Sequence, residues 1–265
     1  MMKRTEILVF SGTTEGREIS DFIREKGIGV TVCVATEYGR SLMKEQEGVK
    51  VLAGRLSMEE MEQLPGDFGL CIDATHPYAS LVTENIKKAC KKRNIPYIRL
   101  LREEACIDRN PACGEGLTED FIHVGSVREA AEYLREKAGE DKIFISTGSK
   151  EIEEYCIIPD YEKRLTVRVL PVEESLDKCR SHKILNIIGE KGPFSYERNL
   201  FHFKASKALW LVTKEAGKSG GFEEKIRAAG VLLMKVIIVD RPAIEEGLSL
   251  GETKGYIEKW QKQRS

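Results

Sequence analysis

Short apolar runs alternate with segments of helical periodicity from the start of the chain, and this alternation restricts the fold more than any other feature. Residues 7–10 read as a strand, and the helix that follows over 15–25 carries Ile19, Phe22 and Ile23 on one face before Gly27 stops it. Residues 31–35, 49–53 and 70–74 read as further strands. Ser57 with Glu60 forms a capping box ahead of one helix, and Ala79, Val82, Ile86 and Ala89 stripe the next, which ends near Arg93 before a fifth strand at 97–101. Short strands separated by helices of this length are βα units, so they predict a parallel sheet covered on both faces.

The periodicity fails over 102–118, where Pro111, Gly114 and Gly116 fall, and then resumes. A helix over 126–137 opens with its own Ser126/Glu129 capping box. Strands are predicted near 122 and over 142–146, 165–170, 184–188, 209–213 and 231–239, with helical patterns near 151, 173, 196 and 222 and over 254–263. The expected fold class is therefore α/β: two Rossmann-like domains with mainly parallel sheets, over 1–103 and 119–265, joined by a connection at 104–118, with a cleft between them where ligands bind. No close internal repeat is visible, and the packing of the chain after Asp240 is left open.

Charge and composition exclude several functions. Lysine and arginine number 42 against 43 acids among 265 residues, so nothing global draws the protein to nucleic acid or an anionic membrane, and no apolar stretch reaches spanning length. Seven cysteines without a C-x-x-C pair favour reduced thiols in the cytoplasm, and four histidines without ligand spacing predict no metal.

The residues that carry chemistry lie where strands end. The first strand runs into Ser11-Gly12-Thr13-Thr14-Glu15-Gly16-Arg17, a glycine and hydroxyl turn opening a helix, suited to a phosphate although it is not G-x-G-x-x-G. The second strand ends at Thr36, with Glu37 suited to a ribose hydroxyl and Arg40 to a 2′-phosphate, which leaves NADH against NADPH undecided. The fourth ends in Asp73-Ala74-Thr75-His76-Pro77-Tyr78-Ala79. In the second half, Ser146-Thr147-Gly148-Ser149-Lys150 repeats the strand, polar turn and helix. Arg168, Gly192-Pro193-Phe194-Ser195 and Lys214 with Gly220 and Gly221 add further polar loops on the same predicted edge. An ordinary surface charge is the plain alternative for each lysine or arginine. Gly217-Lys218-Ser219 lacks the first glycine of a P-loop, and Tyr133 with Lys137 lies in an amphipathic helix.

Together, residues 11–17, 73–79, 146–148, 192–195, Lys214-Glu215 and Gly220-Gly221 resemble the precorrin-6A/cobalt-precorrin-6A reductase family of cobalamin biosynthesis, over roughly residues 5 to 240. The resemblance implies hydride transfer from NADPH or NADH to a corrin-precursor tetrapyrrole. Gly12, Thr13, Thr14, Glu15, Thr36, Arg40, Thr75, Pro77, Thr147 and Gly148 would then hold the nucleotide. Lys150, Arg168, Gly192, Pro193, Ser195, Lys214, Gly220 and Gly221 would meet the macrocycle, and His76 and Tyr78 would stand nearest the chemistry. The oligomeric state is left open, with a monomer favoured and other cobalamin-pathway enzymes as candidate partners. The rival readings are an NAD(P)-dependent reductase of another anionic metabolite, a methyltransferase using S-adenosylmethionine, and a non-catalytic corrinoid or nucleotide carrier.

Overall fold

The computed structural model describes residues 6–43, 47–64, 68–102, 121–215, 221–241 and 246–264. Two compact units emerge, one formed by Met1–Glu103 with Pro242–Ser265 and the other by Glu104–Arg241.

In the first unit the alternation resolves into β1 (Glu6–Phe10), α1 (Thr14–Glu25), β2 (Val30–Val34), α2 (Glu37–Ser41), β3 (Val49–Ala53), α3 (Met58–Gln63), β4 (Phe68–Asp73), α4 (Ser80–Arg93) and β5 (Tyr97–Arg99). The strands form a parallel sheet in the order β3-β2-β1-β4-β5. Successive side chains of a strand face opposite sides, so Ile7 and Val9 pack with Ile19 and Ile23 of α1 while Leu8 and Phe10 pack with Met61 of α3 and Ile86 of α4. Each isoleucine buried in this way contributes about 1.5–3 kcal/mol. The predicted Ser57–Glu60 capping box is complete, with both reciprocal bonds present.

In the second unit, β6 (Ile122–Val124), α5 (Val127–Lys137), β7 (Ile143–Ile145), a 3-10 helix (Ile152–Ile157), α6 (Tyr161–Arg164), β8 (Leu165–Val169), α7 (Glu173–Ser181), β9 (Asn186–Gly189), α8 (Tyr196–Ser206), β10 (Trp210–Lys214), α9 (Phe222–Val231) and β11 (Lys235–Val239) follow in turn. Their parallel sheet has the order β6-β11-β10-β7-β8-β9. Phe203, Phe222 and Ile226 from α8 and α9 cover one face together with Phe144 and Leu211. The strand expected over 231–239 is shorter, because Val231 still belongs to α9.

The assignment of the whole stretch 119–265 to the second domain is corrected by the tail. Leu248 forms a parallel bridge with Leu100, accepts from Leu101 N at 2.8 Å and donates its own N–H to Arg99 O at 2.8 Å. The helix α10 (Leu250–Lys262) then lies on the first sheet. Its capping box is Ser249 with Glu252, its Ile257 and Trp260 join the core of Ile7 and Ile19, and Lys26 of the α1 end pairs with Glu258. The free edge of β5 and an uncovered apolar face of the first sheet supply the reason: both are satisfied by this segment. The proposed connection at 104–118 lies outside the described residues. Among the described residues no helix is long and apolar enough to cross a membrane.

Candidate functional site

In the first sheet the chain winds from β1 outward through β2 and β3, then returns to β4 and β5, so the order reverses between β1 and β4. Ligands of open α/β sheets bind outside the carboxyl ends of strands at such a reversal. The loops after β1 and β4 meet there: Ala74 N donates to Phe10 O at 2.8 Å, while Ser11 N donates to Cys33 O of β2 at 2.8 Å. Gly16 permits the close approach at this junction, since a Cβ there would stand 2.5 Å from Ser11 Oγ and 3.1 Å from Ala74 Cβ. At Gly12 a Cβ would meet nothing within 4 Å, so the loop offers open backbone beside the N-terminus of α1.

Several side chains expected to hold the nucleotide make bonds within the first unit. Thr13 donates to Ala74 O at 3.0 Å and accepts from Gly16 N at 3.0 Å, capping α1 while tying the two loops together. Thr14 accepts from Arg17 Nη2. The Glu15 carboxylate accepts from Arg102 Nε at 3.1 and 3.2 Å, which offsets its negative charge beside the N-terminus of α1. Thr75 donates to Asp73 Oδ1 at 2.7 Å. Thr36 caps α2 by accepting from Gly39 N, with Arg40 exposed on that short helix.

Beneath the Thr75–Tyr78 segment lies an ion pair to which sequence reasoning gave no role. Asp73 is 0% exposed and Arg99 3%. Asp73 Oδ1 accepts from Arg99 Nη1 at 2.8 Å, Thr75 N at 3.0 Å and the Thr75 hydroxyl, and Oδ2 accepts from Thr83 at 2.8 Å and Tyr97 OH at 3.0 Å. A buried carboxylate with this many donors is fixed in place and fixes the loop that follows it. Above it, Pro77 and Tyr78 form a turn, the rings of His76 and Tyr78 are 5.5 Å apart, and both residues are part exposed. Arg99 was visible in the sequence as a lone charge inside the fifth apolar run.

The second sheet reverses between β7 and β10. Ser146 donates through both N and Oγ to Val212 O, at 2.9 and 3.0 Å, joining the two strand ends. The Thr147 hydroxyl is within 3.1 Å of Tyr155 OH, and Gly148 continues the turn in open space. Lys150 is exposed, its carbonyl accepting from Lys178 Nζ, and Lys214 pairs with Glu151. Gly220 lies outside the described residues.

Arg168, expected to meet the macrocycle, is a buried cation and not a surface one. It is 5% exposed; Nη2 donates to Asn199 Oδ1 at 2.9 Å, Nη1 lies 3.2 Å from His202 Nδ1, and the guanidinium sits 3.7 Å from the Phe194 ring centroid. These contacts tie it to α8 and to the loop Gly192-Pro193-Phe194-Ser195. Burial, and then Arg168, hold His202 below its ordinary value, so its ring is neutral near pH 7. With Arg168 donating to Nδ1, the proton is on Nε2, 3.1 Å from Glu190 Oε2. Glu190 also accepts from Arg198 at 2.6 Å, which with the other cations lowers its own pKa. Ser195 caps α8 by accepting from Arg198 N, and Asn199 Nδ2 donates to Phe194 O and Ser195 O. Gly221, at φ +66°, caps α9, and a Cβ there would stand 3.3 Å from Pro193 Cβ. Lys225, one turn further on and 7% exposed, was missed although it interrupts the apolar stripe of Phe222, Ile226 and Ala229.

Two parallel α/β units, each with glycine and hydroxyl loops at its reversal point, define a Rossmann-type protein of the dinucleotide-handling class. The model of the family Precorrin-6x reductase CbiJ/CobK matches residues 6–260, and the chain belongs to that family of oxidoreductases of cobalamin biosynthesis, which take hydride from NADPH or NADH. It is 33% identical over 248 residues to the cobalt-precorrin-6A reductase of Priestia megaterium, covering 91% of this chain and 92% of the relative. With the cobalt-precorrin-6A reductase of Methanothermobacter thermautotrophicus the identity is 31% over 247 residues, covering 91% and 78%. Among solved structures, CobK precorrin-6A reductase matches with a TM-score of 0.75 at 20% identity, over 96% of this chain and 97% of that one, a likeness of fold.

Proposed function

We propose that this chain reduces cobalt-precorrin-6A to its dihydro form, with the nucleotide held by the first unit and the acidic macrocycle met by loops of the second. The observation that carries the reading is the β1/β4 reversal point, where open backbone at Gly12 adjoins a loop bearing His76 and Tyr78. The cobalt-containing substrate is favoured because the relatives at 31–33% identity bear that name, whereas the precorrin-6A reductase of Mycobacterium tuberculosis is 25% identical.

The residues present suit a dinucleotide. The N-terminus of α1 presents backbone N–H groups toward a pyrophosphate, Glu15 is neutralised by Arg102, and Arg40 or Glu37 stands at the ribose end. A bound reduced nicotinamide supplies the hydride. The chain has then to align donor and acceptor and exclude water, which asks for rigid loops more than for a nucleophile. The Asp73–Arg99 pair supplies that rigidity beneath His76. Delivery of that hydride to one ring carbon would call for a proton at the conjugated system to balance the charge. His76 and Tyr78 are the candidates to hold that proton.

The test is anaerobic incubation with NADH or NADPH and either precorrin-6A or its cobalt form, following nicotinamide and corrin absorbance together. Coupled changes, faster with the cobalt form, are expected. Pigment binding without nucleotide oxidation would instead place the chain among carriers.

A further inference from the structure

At the carboxyl end of the second sheet, positive charge is buried without an answering negative one. The Lys225 amine donates to Thr213 Oγ1 at 2.8 Å, and among the described residues it has no carboxylate within ion-pairing distance. The nearby cation is Arg168, itself held by Asn199 and His202. The charged groups around them are Arg198 on α8 and Glu190 after β9, and Glu190 is already engaged by Arg198 and His202. Lys214 at the end of β10 is directed to Glu151. An ammonium taken out of water with one neutral acceptor costs several kcal/mol, which a lysine kept only for packing would not justify.

Two helix starts lie over these cations. The N-termini of α8, capped by Ser195, and of α9, capped by Gly221, are brought together, since a Cβ at Gly221 would lie 3.3 Å from Pro193 Cβ and 3.4 Å from Phe194 O. Both present partial positive charge. We propose that Lys225, with Arg168 beside it, is the base of an oxyanion subsite that takes a carboxylate arm of the macrocycle or a phosphate of the dinucleotide. The identity of those two anions rests on the reductase reading, whereas the subsite rests on the geometry of the second unit.

Burial, and then Arg168, push the Lys225 amine down to about 7 from its ordinary 10.5. Without a ligand it is therefore divided between charged and neutral forms near neutrality, and an arriving anion draws it to the charged form.

Calorimetric titration of the whole protein with NADP+, and separately with uroporphyrin as a stable tetrapyrrole polycarboxylate, tests this on Lys225→Met and Lys225→Arg. Lys225→Met is expected to weaken one ligand about tenfold or more and leave the other within about twofold, with Lys225→Arg retaining most of the affinity. Loss toward uroporphyrin assigns the carboxylate, and loss toward NADP+ the phosphate. The thermal midpoint of Lys225→Met is expected to equal or exceed that of the parent, because an unanswered buried charge has been removed. Unchanged affinity for both ligands, or an equal loss of both accompanied by a fallen midpoint, would overturn the proposal. In the parent protein, lysine side-chain NMR is expected to show an amine titrating near neutrality whose pKa rises when one ligand saturates. An amine unmoved by either ligand would overturn it as well. None of these readouts uses turnover, so a failure of the reductase reading appears separately in the oxidation assay.

Discussion

At the end of β4, Asp73 and Arg99 are both out of water, yet each charge meets the other and the surrounding hydroxyls complete the carboxylate's bonds. Against β10, Lys225 of α9 is also buried, but its acceptor is the neutral hydroxyl of Thr213 and its charged neighbour has the same sign. The two units thus use one topology for different electrostatic ends. A neutralised pair is a rigid foundation for the loop above it, while an excess of buried cations is a structure completed by an anion.

Breaking the foundation should have the largest effect. Asp73→Asn leaves Arg99 buried without its counter-charge, and a loss of about 3–5 kcal/mol in denaturant unfolding is expected; a loss below about 1 kcal/mol would mean that the pair does not hold the loop. The second unit should respond in the opposite sense. Because the folded Lys225 amine binds its proton less tightly than the unfolded one, the folded state holds fewer protons between about pH 7 and pH 10.5, and stability from this group rises with pH across that window. Below about pH 7 both states carry the proton and the burden is constant. Unfolding free energies of the parent and Lys225→Met should therefore converge as pH is raised from about 6.5 to about 9, by up to a few kcal/mol. A pH-independent difference would remove the contrast between the units.

Gly16→Ala sharpens the same contrast, since its Cβ would press on Ser11 and Ala74 at the β1/β4 junction. A cost of about 1–3 kcal/mol is expected in thermal unfolding, with weaker NADPH binding. The smallest effect belongs to the tail. Ser249→Ala removes the cap of α10 and should cost about 1 kcal/mol, together with faster proteolysis of the last residues.

Much of this architecture was legible in the sequence because parallel strands buried on both faces read as apolar runs, and glycine and hydroxyl turns mark their ends. The tail was not, because its docking depends on a free sheet edge that exists only after β5 has paired. Its own signal, Ser249 three residues before Glu252, is a capping box of the kind read correctly at Ser57. For the site, chain position picked out loops that the fold sets at the carboxyl ends of strands, but not which bonds each side chain makes there. Thr13 and Thr75 carry hydroxyls suited to a ligand, and the fold uses both to join β1 to β4 and to brace Asp73. Lys225 escaped notice for the converse reason: a lysine in a helix is ordinarily solvated, and only the register of Phe222, Ile226 and Ala229 marks it as facing inward.

The division between a nucleotide-holding first unit and an anion-receiving second is tested most directly by NADPH affinity in Gly12→Asp. The new side chain enters open space, so the fold should be retained, while its carboxylate faces the place assigned to the pyrophosphate. The account predicts an unchanged thermal midpoint and NADPH binding weakened about tenfold or more. Parent-like NADPH affinity in this variant would contradict it.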